Sequence, residues 1–311
     1  MVDNLVVITG PTGVGKTELC LTVAEYFATD IINADSRQIF AEIPIGTAAP
    51  TAEQRQRVRH HFVATHHIGD YYSASIYEED VMRLLKEKEG RVALLSGGSM
   101  MYIDAVCNGI DEIPTVDEKT REWMKQRLAD EGLTALVDEL KRMDPKHWEE
   151  VDKNNPRRVV HALEICHMTG KPYSSFRTGE KKKRPFNIIK IGLTRDKVLK
   201  VKRGQVIADH SELYERINDR VLQMVEQGLL DEAKSVQSKR GESALNTIGY
   251  KEIFKYLDGD IPFEEAVRQI QSNSREYARK QLTWYKRDRE MAWFHPNQTD
   301  EIIAYIEKNL K

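Results

Sequence analysis

The chain has 311 residues, 40% of them hydrophobic and 31% charged, and a formal net charge of −2 at pH 7. That is enough apolar material to bury the core of one large domain or two modest ones. The near-neutral balance argues against a coat of positive charge for non-specific nucleic-acid binding. No apolar run is long enough to cross a bilayer, and Met1-Val2-Asp3-Asn4 lacks the charged flank and apolar stretch of a signal peptide, so a cytoplasmic protein with no membrane partner is expected. Cys20, Cys107 and Cys166 lie far apart with no C-x-x-C pair, which suggests neither a disulfide framework nor a structural zinc site and reads as reduced core thiols.

Along the chain, the β-branched run Leu5 to Thr9 predicts a buried strand, followed by a glycine-rich turn and a helix over Glu18 to Phe27. Ile31-Ile32 leading to Asp35, and Val92 to Ser96 leading to Gly97-Gly98, have the same strand pattern, with an amphipathic helix over Ser75 to Glu89 between them. Continuously apolar strands separated by helices imply a parallel α/β sheet covered on both faces, with ligands at the carboxyl ends of the strands. From about Val116 the pattern turns purely helical: Glu118 to Glu131, Leu133 to Arg142, and Pro156 to Met168, with proline in the first turn of the last and Gly170 past its end. Glu180 to Arg184 is expected to be mobile. Strand character returns at Asn187 to Leu193, and long helices are expected from Glu212 onward. This predicts a core formed by residues 1–115 and 186–311, with a helical insertion domain at 116–185.

Charge is distributed unevenly. Eleven basic residues (Arg177, Lys181, Lys182, Lys183, Arg184, Lys190, Arg195, Lys197, Lys200, Lys202, Arg203) face only Glu180 and Asp196. Residues 268–290 carry seven more, interleaved with Tyr277, Trp284 and Tyr285. A solvated face with core aromatics and a positive field matched to a polyanion are both open readings.

Gly10-Pro11-Thr12-Gly13-Val14-Gly15-Lys16-Thr17 fits the phosphate-binding loop G-x-x-x-x-G-K-[ST], placed where its mechanism requires, between a strand and a helix. Glycines let backbone N–H groups converge on phosphate oxygens, the helix N-terminus adds its dipole, Lys16 adds charge, and the Thr17 hydroxyl can ligate Mg²⁺. Asp35, after the second strand, can hold Mg²⁺ through water, act as general base, or cap a helix with Ser36. Gly97-Gly98-Ser99 opens a second anion-binding turn in which Ser99 can donate to a phosphate.

These motifs, in this order, resemble the tRNA dimethylallyltransferases, also called isopentenyl pyrophosphate transferases. The resemblance spans almost the whole chain: the phosphate loop, Asp35 to Phe40, Ile45 to Ala48, Gly97 to Tyr102, Asn155 to Arg158 with Ala162 to Glu164, Leu213 to Ile217 with Arg220, Ile248 to Tyr250, and Arg279 to Tyr285. It implies transfer of a dimethylallyl group from its diphosphate to N6 of the adenosine beside the anticodon, tRNA position 37, with Mg²⁺ and without ATP. It assigns Lys16, Thr17, Ser99 and Arg216 to the diphosphate and Asp35 to general-base work. It puts Asp35, Ser36, Arg37, Gln38, Ser99, Arg121, Arg157, Arg158, Val159, Val160, His161, Asn246, Thr247, Ile248, Gly249, Tyr250 and Lys251 along the path of the anticodon stem-loop. The enzyme is expected to act as a monomer.

Four positions depart from the family pattern: Ala49 stands for a usual Lys, Ser99 for Thr, Phe40 for Tyr and His161 for Arg or Lys, so affinity for tRNA is expected to lean on other basic residues. His60, His61, His66 and His67 lack cysteines and regular ligand spacing, and a metal site is not the preferred reading. The rival functions are a small-molecule or nucleotide kinase using the same loop, a non-catalytic RNA-binding module, and an adenylate isopentenyltransferase acting on free AMP. The kinase would leave the basic, aromatic C-terminal helices unexplained, and the binding module would leave Lys16 and Thr17 idle.

Overall fold

The computed structural model describes residues 2–88, 90–202 and 205–311, and of 198–202 and 205–208 the backbone alone. Two compact units divide the chain: Met1–Cys107 with Arg184–Lys311, and Asn108–Lys183. The helical unit thus starts earlier than Val116.

In the first unit the strands are β1 (Asn4–Thr9), β2 (Ile31–Asn33), β3 (His60–His61), β4 (Val92–Gly97), β5 (Asn187–Leu193), the pair β6 (Lys197–Lys202) and β7 (Gln205–Asp209), and β8 (Ala292–Phe294). Six of them form one sheet in the order β3-β2-β4-β1-β5-β8, every pairing parallel. β6 and β7 form a separate antiparallel hairpin. The helices are α1 (Lys16–Tyr26), α2 (Ala52–Arg57), α3 (Ala74–Glu87) and α4 (Met100–Asn108) before the helical unit. That unit holds α5 (Glu118–Met143), α6 (Pro145–Glu150) and α7 (Pro156–Thr169). After it come α8 (Ser211–Glu226), α9 (Leu229–Ser235), α10 (Tyr250–Leu257), α11 (Phe263–Tyr285) and α12 (Thr299–Asn309).

The period-2 geometry of strands explains why β1 and β4 are apolar throughout. Val6, Ile8 and Leu94 pack on one side with α1, α8, α11 and α12. Leu5, Val7, Ala93 and Leu95 pack on the other with α3 and α4. All residues of both strands are buried. β3 and β8, two and three residues long, are too short to show periodicity.

In the helical unit, α5 is two helices in sequence: Gly132 adopts φ 79°, ψ 166°, outside helical geometry, at the predicted break. Leu136, Leu140, Val159 and Leu163 form its core. Arg127 binds both Glu131 and Glu139, and Glu139 also accepts from His167. Asn155 caps α7 and Gly170 ends it in the left-handed region.

Two sequence expectations are corrected and one open reading is narrowed. Arg184, assigned to a mobile lysine-rich stretch, has its side chain buried, donating to Glu78 and to the Ala105 and Val106 carbonyls. The eleven-residue basic run is not one positive face. Arg177 binds Glu150, Lys182 binds Glu112, Lys190 is buried against Asp288 and Glu290, and Arg195 pairs with Glu212. The side chains of Lys200, Lys202 and Arg203 lie outside the described residues. Long helices do not fill the remainder after Glu212, because β8 returns to the sheet. All three cysteines are buried. Among the described residues, no helix is long and apolar enough to cross a membrane.

The ends of β2 and β4 touch. A Cβ on Gly97 would lie 2.1 Å from the Ala34 carbonyl oxygen, a backbone atom that cannot move aside. Gly97→Ala is therefore expected to destabilise the fold by about 1–3 kcal/mol, the usual penalty of overpacking, read as a lowered thermal unfolding midpoint. An unchanged midpoint would show that the two strand ends can separate freely.

Candidate active site

Because every strand of the sheet runs the same way, their carboxyl ends share one edge, and a cavity of about 820 Å³ opens there. Its lining includes Thr12, Gly13, Gly15, Lys16 and Thr17 after β1, Asp35 after β2, Gly97 and Gly98 at the end of β4 and Arg195 after β5, with Arg216, Arg220, Tyr277 and Gln281 reaching in from α8 and α11.

The phosphate loop wraps the start of α1. Gly15 holds φ 108°, a left-handed value that favours glycine, and a Cβ there would sit 3.2 Å from the Arg195 guanidinium. The first N–H groups of α1 have no partner within the helix and open toward the loop. Lys16 folds back on the loop, its Nζ donating to the Gly10 and Pro11 carbonyls at 2.9 and 3.0 Å. Burial, then the nearby Arg220, lowers its pKa to about 8. Three arginines surround the same loop. Arg195 Nε donates to the Val14 carbonyl at 2.7 Å, Arg216 Nε to that of Gly13 at 3.1 Å, and Arg220 to the Thr12 hydroxyl. Arg195 is neutralised by Glu212. Arg220 is not: its Nε is buried with no hydrogen-bond partner among the described residues, and burial depresses its pKa. Among the described residues only Arg195 of these four cations is ion-paired, while Asp35 acts on Lys16 and Arg220 and Asp219 on Arg216 at longer range, a cation-rich arrangement suited to an anion.

Asp35 faces this cluster from β2. Its Oδ1 accepts from the Arg37 and Gln38 N–H groups at 2.9 and 3.4 Å, an Asx-type turn that orients the carboxylate. Burial raises its pKa, opposed by those two N–H groups and by Lys16. A carboxylate made more basic in this way suits proton acceptance. Tyr277, also lining the cavity, is pushed up to about 12 by burial and stays neutral.

Ser99 was expected to donate to a phosphate; its hydroxyl instead donates to Ser36 Oγ at 3.0 Å and accepts from the Ser36 N–H at 2.8 Å. It belongs to the Asp35 turn. Gln38 Nε2 ties this turn to the Thr47 and Ala48 carbonyls, both at 3.0 Å. Asn246, Thr247 and Ile248 are half-buried and Lys251 is exposed, but Tyr250 is fully buried with its hydroxyl on Glu232, so its side chain is closed to RNA. In the helical unit Arg121, Arg157, Arg158 and His161 are exposed, whereas Val159 is buried in the core and Val160 half-buried. Among the histidines, His60 bonds the Val58 carbonyl, His61 meets Asp30 and His67 meets Glu42. The described residues hold no group of three or more His, Cys, Asp or Glu suited to a metal.

Sequence reading left Arg195, Arg220 and Gln281 without a role. Arg195 and Gln281 stood within the basic stretches, and Arg220 within a family motif. Their signal is spatial, since only the fold brings α8 and α11 to the loop.

Comparison with known proteins fits this geometry. The IPP transferase family pattern matches residues 38–288. The chain is 56% identical over 310 residues to tRNA dimethylallyltransferase 1 of Bacteroides fragilis, covering 99% of each chain. It is 34% identical to the crystal structure of the full-length tRNA isopentenylpyrophosphate transferase of Bacillus halodurans, with TM-score 0.70 over 99% of this chain and 96% of that one. A eukaryotic dimethylallyltransferase acting on tRNA shares the fold, with TM-score 0.77 at 22% identity over 98% of this chain and 77% of that chain.

Arg220→Met is expected to leave the unfolding midpoint of the ligand-free protein unchanged or raised, because a desolvated, half-buried cation with no ion pair among the described residues is removed. Stabilisation by added pyrophosphate should fall at the same time, since it follows affinity for the folded state. A full pyrophosphate-induced shift in the variant would take Arg220 out of anion binding.

Proposed function

Since the chain belongs to the IPP transferase family, we propose that it transfers a dimethylallyl group from dimethylallyl diphosphate to N6 of the adenosine at tRNA position 37. The observation that carries this reading is the pairing of a cation-rich cluster on the phosphate loop with a half-buried, desolvated carboxylate, Asp35, across one cavity. The reaction needs both. As N6 attacks the first carbon of the dimethylallyl group, the bond from that carbon to the diphosphate oxygen breaks. Negative charge collects on the diphosphate and positive charge on the attacking nitrogen. Lys16, Arg216, Arg220 and the loop N–H groups stabilise the first, and Asp35 accepts the N6 proton that resolves the second.

Mg²⁺ fits the donor set. The Thr17 hydroxyl is exposed on the cavity wall and Asp35 can reach a metal-bound water, while Mg²⁺ in phosphate loops takes most of its ligands from phosphate and water. When bound it adds charge neutralisation at the diphosphate. The adenosine must leave the stack of its loop to present N6, and Ser36, Arg37 and Gln38 of the Asp35 turn are suited to contact it there. Arg121, Arg157 and Arg158, exposed on the helical unit, are assigned to the RNA backbone. We take the enzyme to be a cytoplasmic monomer that does not consume ATP.

The test is incubation with Mg²⁺, total tRNA and radiolabelled dimethylallyl diphosphate, with AMP as acceptor and labelled ATP as donor in parallel. Label entering tRNA is the expected result. Label entering AMP alone would discard the RNA contacts, and phosphate moving from ATP without prenyl transfer would make the protein a kinase.

Two variants separate the roles. Asp35→Asn keeps the acceptor for Arg37 and Gln38 but loses the base. Turnover should drop ~100-fold or more, the usual worth of general-base catalysis, with tRNA affinity little changed; full turnover would remove Asp35 from proton transfer. Arg157→Ala with Arg158→Ala should weaken tRNA binding and reduce its salt dependence by about one to two charges, and an unaltered salt slope would clear both of backbone contact.

A further inference from the structure

We infer that Gln281, buried on α11, is a positioning residue that fixes the diphosphate loop relative to Asp35, building on the prenyl transfer proposed above. The parallel ladder between β1 and β4 ends at the pair Thr9 and Gly97. Beyond it the chains diverge, one into the phosphate loop and the other into the turn that packs on Asp35. The Gln281 carboxamide bridges that gap. Its Oε1 accepts from the Thr12 N–H at 2.8 Å, and its Nε2 donates to the Gly98 carbonyl at 2.8 Å. A backbone N–H can only donate and a carbonyl only accept, so these partners fix the amide orientation. Gln281 is 1% exposed, so both bonds are made by a side chain almost withdrawn from solvent.

Close approach on the Gly98 side is built in. A Cβ there would stand 2.9 Å from Gln281 Nε2 and 3.5 Å from Asp35 Oδ2, so the bridge, the turn and the general base are in mutual contact range. The turn itself is tied to the base, because the Ser99 N–H donates to the Ala34 carbonyl at 3.0 Å and the Ser99 hydroxyl bonds Ser36. On the other side, Thr12 accepts from Arg220. One side chain therefore stands between the group that receives the diphosphate charge and the group that receives the N6 proton. Tyr285 also donates to the Gly98 carbonyl, at 3.1 Å, and its hydroxyl meets the Thr9 side chain, so it ties the turn to the end of β1, whereas Gln281 reaches into the phosphate loop itself at Thr12. In-line displacement depends on the distance between these two halves, and misplacement by an ångström can cost ~100-fold in rate.

Two substitutions test the bridge through kcat, KM and pH dependence, in prenyl transfer to tRNA. Gln281→Leu removes both bonds while keeping bulk. We expect kcat to fall by about tenfold to 100-fold, with KM for dimethylallyl diphosphate and tRNA changing by less than about threefold, because neither substrate is bound by Gln281 itself. Gln281→Glu can make both bonds only when protonated, its O–H donating to Gly98 and its carbonyl accepting from Thr12. Its kcat, relative to wild type, should recover as pH falls through the raised pKa of a buried carboxyl, a trend that general loss of packing would not produce. A folded Gln281→Leu enzyme with kcat within about twofold of wild type, or with its loss confined to KM, would overturn the inference. So would a Gln281→Glu enzyme whose activity relative to wild type does not change with pH. Unfolding of both variants would make the residue one of stability alone and overturn it equally. Absence of prenyl transfer by the wild-type protein would instead overturn the function on which the inference rests.

Discussion

A parallel sheet ends all its strands on one edge, and the active centre follows from that constraint. Each loop leaving the central strands is forced into the neighbourhood of the others. β1 delivers the phosphate loop, β2 delivers Asp35, β4 the double glycine, and β5 Arg195. Since β1 lies between β4 and β5, the loop that binds the leaving group has the base-bearing turn on one side and a cation on the other. The sheet needs both faces covered to remain buried, and the helices that cover it also carry Arg216, Arg220 and Gln281 to the same edge.

Electrostatics divides the cavity into two halves of opposite demand. On the loop side, burial makes Lys16, Arg216 and Arg220 less willing to hold their protons, and among the described residues only Arg195 of the loop's cations is ion-paired to a carboxylate. On the other side burial makes Asp35 more willing to take one. Desolvation is the largest influence in all four cases, and its opposite sign for acids and bases produces the contrast. An anionic leaving group relieves the first half, and a proton released during bond formation relieves the second. The unliganded site is held in a state that the reaction improves, the expected signature of groups kept for function rather than for stability.

Much of this was legible in the chain. The phosphate loop and the strands at 4–9, 92–97 and 187–193 announced themselves by glycine spacing and unbroken apolar runs, because their chemistry is local. Gly132 marked the break in α5 for the same reason. The short strands β3 and β8 left no periodicity to read, and their existence depends on pairing with neighbours distant in sequence. Partner choice was equally hidden. Arg184 and Lys190 looked like parts of a basic surface, yet Glu78 and Asp288 neutralise them inside the fold. The contact of Ser99 with Ser36 was hidden as well, because it joins loops that follow different strands.

α11 shows how such hidden roles can still leave a trace. Most of its buried face is apolar, with Ala266, Ile270, Ala278 and Leu282 on the core, but Ser274 and Gln281 are buried there too. A buried carboxamide lowers stability unless both its donor and its acceptor are satisfied, and an aliphatic side chain of similar size would pack without that requirement. Gln281 meets the requirement with two backbone groups that belong to the loops of the active centre and to nothing else in the helix. The polar interruption of the apolar stripe thus lies where the helix serves the site instead of the core. A helix that otherwise only covers the sheet is, at that one position, part of the geometry on which the chemistry depends.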